Sequence, residues 1–189
     1  MSSKKTLMAA LAALFLGAGC DSSERQSSPW PPYLQLLRTD AAHNRLWVFE
    51  RDALSVHDNT NGRRLRRLVL PDWIMLRAEY GCAPDLVVDA QGVAYASSNV
   101  QPVIWRIDPA SYEVTRIELT LESDADKDVG FSGLEMSGEG ALLASGATFG
   151  SLWRIDLVAA RAVKLADYAA SEPTMCNSAT LMRNARLAP

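Results

Sequence analysis

The chain has 189 residues, 48% of them apolar and 22% charged, an ordinary globular composition with room for one domain. Its formal net charge of −3 removes the electrostatic ground for expecting nucleic acid as a partner. Beyond the first twenty residues, no apolar run is long enough to cross a bilayer.

The N-terminus reads as a targeting segment. Lys4 and Lys5 form a short positive region, and Leu7 through Leu16 is an unbroken apolar run of ten residues. Gly17-Ala18-Gly19 then precede Cys20. A charged start, a short apolar core and small residues before a cut are the features of a secretory signal over residues 1–19. The ending Leu16-Gly17-Ala18-Gly19-Cys20 resembles a bacterial lipobox. That resemblance implies that Cys20 is acylated and becomes the first mature residue; an ordinary cleaved signal with an incidental cysteine is the alternative. Several acyl chains on one cysteine would anchor stably, at roughly 0.8 kcal/mol per buried methylene. The implied address is the bacterial cell envelope, on a lipid anchor facing the periplasm. Asp21 resembles the inner-membrane retention signal of enteric bacteria. Loss of residues 1–19 takes away Lys4 and Lys5, leaving 17 basic against 22 acidic residues and a charge of −5.

Residues 20–32 are Ser- and Pro-rich, end in Pro29-Trp30-Pro31-Pro32 and lack apolar periodicity. They read as a tether. From Tyr33 to the end, short apolar or alternating runs separated by turn residues predict an all-β domain. The first unit has strands at 33–37, 46–49, 53–57 and 65–70, with turns at 40–44 and at Asp58-Asn59-Thr60-Asn61-Gly62. The second has 86–88, 93–96, 104–107 and 114–121; the third has 131–136, 141–144, 152–155 and 162–165.

Trp105-Arg106-Ile107-Asp108 and Trp153-Arg154-Ile155-Asp156 lie 48 residues apart and fix the period. Four short antiparallel strands per unit resemble a β-propeller blade. A strand, a Gly-containing turn, a small-residue strand, Trp-Arg-Ile-Asp and a final strand are similar to NHL or quinoprotein-like propeller repeats. Alternation places Trp105 and Ile107 on one face, Ile104 and Arg106 on the other. The closing aspartate is suited to accept backbone N–H groups in the next turn. Recurrence favours packing over a ligand-stacking role for the tryptophans. Three units are visible, with a partial one at 177–182; closed propellers have at least four blades. The ring is therefore expected to be open, or completed by a second copy or another protein.

Cys82 and Cys176 form an even pair in an exported chain and suggest a disulfide. Closing that loop of about 95 residues would contribute roughly 4–5 kcal/mol in the chain-entropy account. Two separately buried thiols are the alternative. Asp124, Asp126, Asp128 and Glu135 have the carboxylate spacing of a calcium loop. Val129 stands where such a loop needs glycine, however, and Glu135 falls in an expected strand. A solvated acidic loop is the preferred reading.

Arg63-Arg64 and Arg66-Arg67 make a basic run on the first unit's last strand, suited to anionic headgroups or to blunting an exposed edge; the second is preferred. His43 and His57 read as turn histidines. Asp72 to Leu76 with Tyr80 read as an apolar insert, a strand, short helix or loop; a satellite core pinned by Cys82 is preferred, and an exposed partner-binding patch is the alternative. No serine elbow, phosphate loop, Cys-x-x-Cys or zincin motif occurs. The leading functional reading is a membrane-tethered binding or scaffold module. The other is a small propeller enzyme or sensor whose metal or small-molecule site lies in a central channel, drawing on Asp85 or Glu135.

Overall fold

The computed structural model describes residues 37–74, 82–122, 130–137, 140–146 and 150–167, all within the unit Pro31–Pro189. The signal, the tether and the expected strand at 177–182 lie outside the described residues. Among those residues there are thirteen strands and no helix.

The strands form three antiparallel sheets in simple meander order. The first holds β1 (Leu37–Asp40), β2 (Arg45–Phe49), β3 (Leu54–Asp58) and β4 (Arg64–Leu68). The second holds β5 (Leu86–Val88), β6 (Ala94–Ser97), β7 (Val103–Ile107) and β8 (Val114–Glu118). The third holds β10 (Phe131–Met136), β11 (Leu142–Gly146), β12 (Ser151–Asp156) and β13 (Arg161–Asp167), with β9 (Thr120–Leu121) added at its outer edge.

The turns explain why the strands stop where they do. Between third and fourth strands, Asp58, Asp108 and Asp156 each accept two backbone N–H groups with one carboxylate oxygen. The donors are Thr60 and Asn61, Ala110 and Ser111, and Val158 and Ala159, at 2.8–3.2 Å. Four residues beyond each aspartate the backbone turns left-handed, at Gly62, Tyr112 and Ala160. Between first and second strands a matching left-handed residue recurs at Asn44, Gly92 and Gly140. The turn role expected for the aspartates is therefore the one they play.

Two boundaries differ from expectation by more than two residues. The first strand runs on through Asp40 and does not end at residue 37, because Asp40 accepts the His43 N–H at 3.2 Å and the reversal comes only afterwards. The run 114–121 is also two strands. Leu119 is buried and donates its N–H to Pro102 at 2.8 Å, which ends β8. Thr120 and Leu121 then pair in parallel with Arg161 and Ala162 of β13. That covers an outer edge whose peptide groups would otherwise be open to pairing.

Two apolar seams hold the sheets face to face. The first joins Trp47, Phe49, Leu54 and Val56 to Leu86, Ala96, Trp105 and Ile107. The second joins Tyr95 and Ile104 to Phe131, Leu134, Trp153 and Ile155. Trp105 and Ile107 thus face one seam and Ile104 the other, as alternation requires. The third large indole, Trp47, comes from β2 rather than from a third strand. The insert after β4 joins the first seam: Trp73 stacks on Phe49 at 5.3 Å and meets Trp105 edge-on at 5.2 Å. It is part of the core between the first two sheets, not a satellite. Residues 75–81 lie outside the described set.

Candidate functional site

Each sheet begins with an inner strand, and β5 lies beside both β1 and β10. Residues just before and on these three strands therefore share one place. Asp85, the residue before β5, is 4% exposed. Its Oδ1 takes the Leu86 N–H at 2.6 Å and an Arg38 Nη2 at 2.7 Å. Its Oδ2 takes the Leu134 N–H at 3.0 Å. One carboxylate thus ties β1, β5 and β10 together.

Local chemistry sets this geometry. Arg38 pairs with Trp47 across β1 and β2, so its side chain leaves the sheet toward the second one. The Asp85 N–H donates to Ser97 Oγ at 2.9 Å, which fixes the backbone that carries the carboxyl. Burial pushes the Asp85 carboxyl above its ordinary range; Arg38 and the Leu134 and Leu86 N–H groups pull it back. The Arg38 side chain is 44% exposed, so the clasp has one dry end and one end open to solvent.

A buried polar layer continues from it. Ser132 and Ser145 hydroxyls lie 3.0 Å apart, and Ser132 also donates to the Gly146 carbonyl. Ser98 Oγ accepts the Val100 and Gln101 N–H groups. Asn99 donates to the Cys82 carbonyl at 3.0 Å. Phe131 N–H reaches the Ser98 carbonyl at 2.7 Å, and a Cβ on Gly130 would sit on the Asn99 backbone. The second and third sheets are locked there backbone against backbone.

The sequence-derived candidates fall as follows. Asp85 takes part in the clasp. Glu135 is half-buried on β10, in the strand expected for it. Asp124, Asp126 and Asp128 of the expected calcium loop lie outside the described residues. Cys82 is buried; Cys176 and Cys20 lie outside the described residues.

The four arginines do not form one patch. Arg67 is neutralised by Asp52 at 2.7 Å and Glu50 at 3.4 Å, on the far face from the second sheet. Arg66 points the other way, over the Tyr112 ring. His43 is less exposed than a free turn residue: its Nδ1 lies 2.9 Å from Asp40, and its ring packs on Gly92.

Sequence reasoning missed Arg38, whose partner sits 47 positions away with no motif to mark it. It also passed over Ala96-Ser97 and Ala144-Ser145. These recur at the 48-residue period, and their serines are both buried.

No family model matches the chain, and no curated protein matches it by sequence. Among solved structures it is similar to a catalytically inactive virginiamycin B lyase from Staphylococcus aureus with quinupristin. The TM-score is 0.51 at 16% identity, over 73% of this chain and 43% of that one. That protein is a β-propeller, and a likeness at this identity concerns the fold alone. The chain is all-β and propeller-like, and its three described sheets do not close a ring. It spans less than half the length of the structure it matches.

Proposed function

We propose that the chain is a lipid-anchored binding module of the bacterial envelope, using a propeller-like platform to hold a partner protein. The observation that carries this is the inner-strand clasp. Asp85 joins three blades into one rigid face, and its charged and polar neighbours hold the blades instead of standing ready for chemistry. The lipobox-like sequence at Cys20 supports the anchor, and the cysteine at 82 supports a disulfide with Cys176. Asp21 supports retention in the inner membrane.

Two experiments test the reading. Cells expressing the full chain are fed an alkynyl fatty acid: label on the wild type and none on Cys20→Ala supports the anchor, and an unlabelled wild type ends it. Crosslinking in intact cells, followed by purification, supports the module if one protein is recovered reproducibly. Recovery of the bait alone removes it. A second copy as the partner would give twice the chain mass in light scattering.

The open end of the clasp favours one second reading, a small-molecule or metal site in a sensor or enzyme. Arg38 remains partly exposed beside a buried carboxylate on the inner strands. Elemental analysis of the purified full chain, with calcium titration, would support that reading if stoichiometric metal were found.

A further inference from the structure

A second group of charges lies away from the clasp, where the first and second sheets meet near their turns. Tyr112 closes the turn between β7 and β8. Its φ is +60°, at the position where the first sheet has Gly62 and the third has Ala160. A tyrosine gains nothing from that backbone by itself. Two guanidinium groups sit over its ring, Arg45 at 5.4 Å and Arg66 at 5.5 Å from the centroid.

Among the described residues neither guanidinium has a carboxylate at ion-pair distance. Arg45 donates Nη2 to the Pro109 carbonyl at 2.9 Å, and Arg66 donates Nη1 to the Leu65 carbonyl at 2.9 Å. Arg38, Arg67, Arg116 and Arg161 are all paired with acids. The nearest acid in register, Asp58 opposite Arg45, has its Oδ1 engaged by turn N–H groups. The Arg45 Nη1 is buried without a hydrogen-bond partner. In a chain of net charge −3, two cations share one ring with no carboxylate among the described residues at ion-pair distance.

We infer that Arg45, Arg66 and Tyr112 form a binding site for a phosphate group. Phosphate offers what the pair lacks: negative charge and several acceptor oxygens for the unused guanidinium donors. The Tyr112 ring holds both arginines in place by cation–π contact. The Pro109 carbonyl keeps Arg45 docked, while exposed Arg66 is free to swing onto the ligand. A soluble phosphate and a lipid headgroup share this chemistry.

The test is calorimetric titration of the full chain in non-ionic detergent with inorganic phosphate, chloride being adjusted to constant ionic strength. A parallel arm uses vesicles of phosphatidylglycerol and phosphatidylcholine against phosphatidylcholine alone. Saturable phosphate binding is expected, weakened about tenfold or more by Arg66→Gln. Arg161→Gln, on the third sheet, should bind as wild type. Tyr112→Gly guards against misfolding, since glycine suits this backbone and the first sheet already has it there; it should fold and bind weakly. Binding to anionic vesicles alone, lost in Arg66→Gln, supports the site and makes a headgroup its ligand. No saturable response in either arm, or unchanged binding in folded Arg66→Gln and Tyr112→Gly, overturns it.

Discussion

Arg38→Met removes the charge from the inner-strand clasp while keeping most of the side chain's bulk. The Asp85 carboxylate would then be buried with only the Leu86 and Leu134 N–H groups to answer it. Breaking a fully buried pair costs about 3–5 kcal/mol. The Arg38 side chain is 44% exposed, and water screens its end of the pair, so about 1–2 kcal/mol is expected here. For a chain of this length that is a Tm drop of about 2–8 °C.

The loss should also depend on pH, with a definite sign. Asp85 has a folded pKa raised above its ordinary value, with burial as the largest cause. The folded state therefore binds the proton more tightly than the unfolded one. The contribution of Asp85 is fully present below the unfolded carboxylate value and declines as pH rises through the folded value. Removing Arg38 takes away an influence that lowers this pKa, so the folded value climbs further. Thermal melts of wild type and Arg38→Met across acid to neutral pH should nearly coincide at the acid end and separate toward neutrality. A gap of equal size at every pH, or one widest in acid, would refute the electrostatic account and leave a packing contact in its place.

Other changes probe the frame around the clasp. Gly130→Ala should destabilise by about 1–3 kcal/mol or more in chemical denaturation, because the new methyl meets the Asn99 backbone and no flexible side chain can yield. Gly62→Ala, with open space around the same added atom, should lose only about 1 kcal/mol, from its left-handed backbone. Trp153→Ala should cost about 3–5 kcal/mol, since the ring is fully buried and edge-on to Phe131. Asp108 and Asp156 are held below the ordinary carboxylate range, by the Ser111 and Ala159 N–H groups above all. Their stabilisation is present above the unfolded carboxylate value and fades as pH falls through the folded one. The double variant with Asn at 108 and 156 should therefore flatten the acid limb of the stability profile; an unchanged limb would assign it to other groups.

What could be seen in the sequence was what repeats. The 48-residue spacing of Trp105 and Trp153 located three sheets, because seams between like units demand like side chains at like positions. Asp58, Asp108 and Asp156 were legible for the same reason: each solves the same turn with the same carboxylate, and the left-handed residue follows at a fixed distance. Register was less visible. The strand expected over 114–121 reads as one run of mixed apolar and polar residues, and only the course of the chain into the third sheet shows why Leu119 divides it.

The clasp illustrates the opposite limit. Asp85 stands where the third unit has Gly133, and Arg38 is matched by Leu86 and Leu134, so no spacing in the chain singles out the pair. Their contact follows from the course of three inner strands and can be known only once those strands lie side by side. The same holds for Arg45, Arg66 and Tyr112, which break the repeat at the point where they meet. In a chain built from similar units, the repeated residues build the frame. The departures from repetition, once brought together in space, are where individual function has room to arise. Arg38→Met and Arg66→Gln therefore test different things: loss of the first should weaken the frame, while loss of the second should leave the frame standing and remove a ligand.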